Sequence, residues 1–209
     1  AVSGKATNTM YMEGLAGASE LFFGEFGEGD YWNKYVEIYN GTGGSIDLSE
    51  YMIAKQTYGT GVYPDYTKPW TNFCRLSATP TNLPHGTTIL ILNNGTDKIN
   101  PTVTNALIAS NRPYLLTSND VLNVSGNDPV GLFKIGETNE WVDMCGIAPD
   151  AGTGARYIMR RKEDAKVPLS YPITVDTNQW DYRPWCLDGA KDSDTTPAWT
   201  NFIATAGVY

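Results

Sequence analysis

The chain has 209 residues with only 18% charged side chains, and it is rich in Gly, Tyr and Trp, a balance that favours strands joined by turns over helices and suits one domain with additions. A net charge of −8 excludes the broad basic surface that phosphate-backbone binding requires, so no nucleic-acid partner is expected. No run of about 18 apolar residues occurs, so no membrane span is expected, and a chain opening at Ala1 without a charged and apolar leader reads as a processed secreted protein.

Residues 1–20 are rich in Gly, Ala, Thr and Ser and carry one small apolar patch, Met10, Tyr11 and Met12. This composition predicts an N-terminal arm that, if tied down, adds a strand to its own sheet or to a neighbouring molecule, with those three residues as the assembly contact. Leu21 to Phe26 then reads as an apolar strand broken at Gly27-Glu28-Gly29-Asp30. Val36 and Ile38 alternate with Tyr35, Glu37 and Tyr39 in the period of a second strand, which stops at the sharp turn Asn40-Gly41-Thr42-Gly43-Gly44. After a strand at Met52 to Lys55, a long connection from Gln56 to Leu83 holds Tyr58, Tyr63, Tyr66, Trp70 and Phe73. Such loop aromatics either form a patch that stacks on sugars or contacts protein, or they cover an open end of the fold.

Thr87 to Leu92 is a short apolar strand, and Asn100-Pro101 opens a short helix over Thr102 to Ser110, with Asn as cap and Pro in the first turn. Further strands are predicted at Tyr114 to Leu116, Val121 to Val124 and Val130 to Ile135. The turn Gly136-Glu137-Thr138-Asn139 then leads into Trp141 to Ile147, and Tyr157 to Met159 is the last strand the pattern supports.

Catalytic signals are weak. The single histidine, His85, lies between Pro84 and Gly86 in a turn, with no nucleophile at a useful spacing, and no phosphate loop, zinc spacing or dinucleotide fingerprint is present. Glu25, Asp30 and Glu37 fall at strand ends or in loops, where oxygen-rich clusters hold calcium, and Glu25 with Glu37 has the composition of a glycosidase acid and base. The alternative for Glu37 is a hydrogen bond to neighbouring backbone or to Lys34. Three cysteines allow at most one intrachain bridge; Cys145 reads as a buried thiol inside a strand, which leaves Cys74 and Cys186 as the better pair. The triplets at Asn40, Asn94 and Asn123 match the N-glycosylation sequon.

An ordered series of motifs resembles the lamin tail domain in its bacterial secreted version. It comprises the strand ending in Gly24-Glu25-Phe26, then Asn33-Lys34-Tyr35-Val36-Glu37-Ile38-Tyr39-Asn40-Gly41-Thr42-Gly43 and Ile46-Asp47-Leu48-Ser49-Glu50-Tyr51. Leu83-Pro84-His85-Gly86-Thr87-Thr88-Ile89, the hairpin Val124 to Lys134, Trp141-Val142-Asp143-Met144-Cys145-Gly146 and Arg160-Arg161-Lys162 follow in order. The resemblance covers about residues 21–180 and implies no catalytic residues.

Strand spacing and resemblance together predict an all-β, immunoglobulin-like antiparallel β-sandwich of about seven to nine strands with one short helix. The expected divisions are an arm (1–20), the sandwich (21–180) and a C-terminal extension packed on the same domain (181–209). The function expected is that of a secreted, non-enzymatic structural or adhesive subunit, extracellular or at the cell surface, which self-associates through its arm and needs no cofactor. The alternative is a carbohydrate- or surface-binding module using Tyr58, Tyr63, Tyr66 and Trp70, with or without calcium; a secreted hydrolase is suggested only by the enzymes that such modules accompany.

Overall fold

The computed structural model describes residues 17–28, 34–58, 68–77, 81–93, 113–117, 120–124, 128–137, 140–146, 157–162 and 179–184. Their strands are β1 (Phe22–Glu28), β2 (Lys34–Tyr39), β3 (Ile46–Asp47), β4 (Tyr51–Lys55), β5 (Thr71–Arg75), β6 (Asn82–Leu83), β7 (Thr88–Asn93), β8 (Tyr114–Thr117), β9 (Val130–Lys134), β10 (Asp143–Cys145), β11 (Tyr157–Arg161) and β12 (Trp180–Pro184). One sheet has six strands in the order β12-β11-β1-β2-β7-β8, a second has four in the order β10-β9-β4-β5, and β3 pairs with β6. The expected β-sandwich is present, and every pairing is antiparallel except β7 with β8, which is parallel.

The two large sheets face each other across one apolar core. Val36, Ile38, Ile89, Ile91 and Met159 come from the first sheet, and Ile53, Val130, Leu132 and Cys145 from the second. The first strand enters this core through a β-bulge: Phe23 pairs with Ile38, but Glu25 already pairs with Glu37 and Phe26 with Val36. One extra residue shifts the side-chain alternation, so Phe23 and Phe26, three apart, both point inward while Glu25 turns to the other face. The strand also runs on through Gly27 and Glu28, where a break was expected. Gly27 lies opposite Tyr35, whose ring occupies the place a Cβ would take, so the glycine is a seat for the aromatic and not a stop.

Several other expectations need correction. Val121 to Val124 is not a strand but follows from a 3₁₀ turn at Asp120–Leu122 that plugs the side of the sandwich against β4, β5, β7 and β8. Its apolar side chains are fully buried, and its exit is held by two lysines: Lys55 Nζ donates to the Asn123 carbonyl at 2.6 Å and Lys34 Nζ to that of Val124. A short apolar run suits either conformation, and here the plug wins. The long connection from Gln56 carries elements of its own, β5 and β6, and β12 extends the six-stranded sheet to Pro184, past the limit predicted for the sandwich. The helix expected at Thr102 to Ser110 lies outside the described residues.

The ladder between β1 and β11 stops at Glu25, and a buried ion pair supplies the partners of Phe23 on that side. Asp143 Oδ2 on β10 accepts from Phe23 N at 2.7 Å and from Arg161 Nη2 on β11 at 2.6 Å, while Arg161 Nε donates to the Phe23 carbonyl at 2.8 Å. The remaining guanidinium nitrogen reaches Gln179 Oε1 at 3.1 Å, and the group stacks 4.2 Å from the Trp180 ring. Neither charged side chain is exposed to solvent. Replacing Arg161 by Met is expected to cost about 3–5 kcal/mol, the penalty for stranding a buried carboxylate, read as a lowered denaturant midpoint. An unchanged midpoint would show that the pair is not a structural tie.

Candidate functional site

Strand alternation that sends Ile53 and Leu132 into the core sends Met52, Ala54 and Phe133 to the opposite face of the four-stranded sheet. There they form a second apolar cluster with Trp70, Ile135 and Trp141, which Met144 extends from β10. Trp70 meets Phe133 edge-on at 5.1 Å and Trp141 at 5.9 Å, and Phe73 meets Phe133 at 5.9 Å. The close approach depends on Gly131, where a Cβ would stand 2.8 Å from the Phe133 ring and 2.9 Å from that of Trp70. The aromatic rings are therefore fixed against one another before any partner arrives.

The rim of this cluster is open. On β5 the register against β4 slips by one residue, and Asn72 takes a left-handed φ of 55°, a conformation Asn tolerates better than most side chains. Phe73, next in the chain, is 40% exposed, one of two exposed large apolar side chains among the described residues; the other is Leu116. Two residues further on, Arg75 is exposed and makes no ion pair among the described residues. It lines a 360 Å³ cleft with Ser49, Glu50, Lys134, Ile135 and Glu137. An exposed aromatic beside an unpaired Arg, on a base of packed Trp and Phe, is the side-chain set enriched at the centres of protein interfaces.

The residues singled out from sequence are distributed unevenly. Trp70 belongs to this face, half-buried. Tyr58 is buried, its hydroxyl donating to Gln56 Oε1 at 3.0 Å and its ring covered by Lys68 Nζ at 4.5 Å, so it offers no ring face to a sugar. Tyr63 and Tyr66 lie outside the described residues, as do Met10, Tyr11 and Met12. The end of the arm is fixed: Gly17 N donates to the Gly41 carbonyl at 3.0 Å, and Glu20 binds both Lys134 and the Tyr51 hydroxyl. That hydrogen bond to Glu20 is the main cause holding the Lys134 ammonium above its ordinary pKa.

Glu25 and Glu37 do come together, as direct cross-strand partners, and both are fully buried. Glu25 accepts from the Tyr35 hydroxyl and, at 2.8 Å, from Arg160 Nε, so its oxygens are engaged within the fold. Asp30 lies outside the described residues, and among those described no group of three such side chains is placed to hold a metal ion. Lys34, offered as a partner for Glu37, binds the Val124 carbonyl and pairs with Glu28 at 3.7 Å. His85 is exposed in its turn, where Nδ1 accepts from Gly43 N at 3.0 Å. Cys74 and Cys145 are buried thiols facing the core, and Cys186, the partner expected for Cys74, lies outside the described residues. Burial, helped by the neighbouring Asp143 carboxylate, pushes the Cys145 thiol well above its usual range.

Sequence reasoning missed Arg75, Phe133 and Trp141 as parts of the aromatic face. The available signal was Gly131 inside an apolar strand, which marks a close approach.

The chain matches the Lamin Tail Domain family over residues 12–148, more than half of its length, and it belongs to that family. The family is an immunoglobulin-like, non-catalytic fold that serves protein interaction. No curated protein matches the chain. Among the described residues no helix is long and apolar enough to cross a membrane.

The family match ends before β11 and β12, yet β11 carries the guanidinium that neutralises Asp143. A chain cut after residue 148 is therefore expected to lose cooperative thermal unfolding, whereas one cut after residue 184 retains it; cooperative melting of the shorter chain would refute the dependence. Native alkylation is expected to leave Cys145 unlabelled at neutral pH, with labelling appearing in peptide maps only after denaturation.

Proposed function

We propose that this lamin tail domain is a secreted, non-enzymatic structural or adhesive subunit that works by protein contact, and that its partner is a second copy of the same chain. The observation that carries the reading is exposed Phe73 beside Arg75, itself exposed and without an ion pair among the described residues, next to the packed Trp70, Phe133 and Trp141 cluster. A rigid aromatic anchor loses little conformational freedom on binding, and an exposed guanidinium selects a partner that presents a carboxylate. A second copy, with 23 Asp and Glu side chains, carries carboxylates of that kind, and the attraction must be local because the two net charges of −8 repel. Residues 1–16 are the second element of the proposal. Gly17, at which they join the sandwich, is bonded to Gly41, and Met10, Tyr11 and Met12 are the residues assigned to contact a neighbour.

A second reading, carbohydrate binding, has one observation in its favour: Trp70 and Trp141 lie 5.9 Å apart on a half-exposed face. The two readings separate in one set of measurements. By sedimentation velocity, wild-type chain is expected to associate with rising concentration, and Phe73→Ser with Arg75→Glu to weaken association about 30-fold, as loss of an interface anchor worth ~2 kcal/mol does. Removing residues 1–16 alone is expected to weaken it further while leaving the melting curve unchanged. A wild type that stays monomeric at every concentration but binds a glycan array through Trp70 would transfer the face to carbohydrate.

A further inference from the structure

Of the sequon asparagines Asn40, Asn94 and Asn123, the first and third are described residues, with Ser125 of the third triplet outside them, and the structure separates the two asparagines sharply. Asn40 is fully buried at the end of β2. Its Nδ2, the atom to which a glycan would be joined, donates to the Gly44 carbonyl at 2.8 Å and to the Leu83 carbonyl at 2.7 Å, which uses both amide hydrogens. Its Oδ1 accepts from Thr42 N at 3.0 Å and from Thr42 Oγ1 at 2.8 Å. The triplet Asn40-Gly41-Thr42 is thus spent on an Asx turn that ties the β2 exit to the β6 strand. A sugar on Nδ2 would remove at least one of these bonds and would have to occupy closed interior.

Asn123 stands in the opposite situation. It follows the 3₁₀ turn, and its backbone alone is engaged: its N–H donates to the Asp120 carbonyl at 2.9 Å and its carbonyl accepts from Lys55 Nζ at 2.6 Å. Its side chain is exposed and makes no hydrogen bond among the described residues. Backbone rigidity with side-chain freedom is what a surface acceptor needs, because the attached group then costs the fold nothing.

We propose that Asn123 is an N-linked glycan acceptor of this domain and that Asn40, despite its matching triplet, is not. The donor is an oligosaccharide carried on a lipid diphosphate. The Nδ2–C1 bond forms as the C1–O bond to the diphosphate breaks, the amide gives up one proton, and the lipid diphosphate leaves. The plug bearing Asn123 packs against β5 and β8, the end strands of the two large sheets, so a glycan there stands on the side of the sandwich where sheet edges are presented. In that position it hinders edge-to-edge pairing between molecules.

The test is to secrete the full chain from an N-glycosylating cell and map the soluble, folded protein after treatment with a deglycosylating amidase, which converts each occupied Asn to Asp. Asn123 is expected as Asp and Asn40 as Asn, and Asn123→Gln is expected to lower the intact mass by one glycan without shifting the melting temperature. Chains modified at Asn40 before folding cannot close the turn and are expected only in the aggregated fraction. An unmodified Asn123 in the soluble protein, or an Asn40 found as Asp there, would overturn the proposal. The readout is independent of whether the chain self-associates.

Discussion

The ion pair between Arg161 and Asp143 governs the way the two sheets meet. Burying two charges costs more than their attraction returns unless the remaining hydrogen-bonding positions are filled, and here the filling groups come from the Phe23 backbone and Gln179. Asp143 Oδ2, the guanidinium and the Phe23 backbone bond one another, while Asp143 Oδ1 is buried without a hydrogen-bond partner among the described residues, so removing any one member strands buried polar groups on the others. The arrangement selects a register more than it adds stability. Slipping β1 by one residue would carry Phe23 away from the pair and would also send Glu25 toward the core.

That register decides which surface is left for binding. On the six-stranded sheet the face away from the core is itself closed: Phe22 packs on Tyr39 at 5.3 Å, and Glu25, Tyr35 and Glu37 are buried there. Glu25, which looked like chemistry in the sequence, is an interior polar group held by Tyr35 and Arg160, and Glu37 beside it is equally buried. The four-stranded sheet differs at its rim: Phe133 is fully buried and Trp70 and Trp141 are half-buried, while Phe73 and Arg75 stand exposed beside them.

Much of this fold was legible in the sequence because β2, β4, β7 and β9 are apolar runs bounded by strong turn residues. What escaped had no local signature. The bulge is written as Phe22-Phe23-Gly24-Glu25-Phe26, which reads as a simple run until pairing with β2 is known. The segment 180–184 carries Asp, Arg and Pro; it forms β12 because an end strand needs only one neighbour, and a proline is tolerated there. The site was half legible for the same reason. Trp70 and Phe73 stood out as loop aromatics, but Phe133 and Trp141 join them only through pairings of β9 with β4 and β10. Burial of Tyr58 under Lys68 is likewise a product of chain folding that no spacing announces.

Strand order also sets a schedule. Arg161 reaches Phe23 across 138 residues of chain, and β1 takes β11 as its outer partner. A ribosome releasing this protein from its N-terminus exposes the bulge and the Asp143 carboxylate well before the guanidinium that completes them. Until β11 emerges, the nascent domain holds an open sheet edge beside an unpartnered acid, the kind of non-local closure that slows folding and invites holding factors. The pairing of β11 with β12 therefore acts as a quality mark: only a polypeptide translated as far as these strands can complete the Asp143 ion pair.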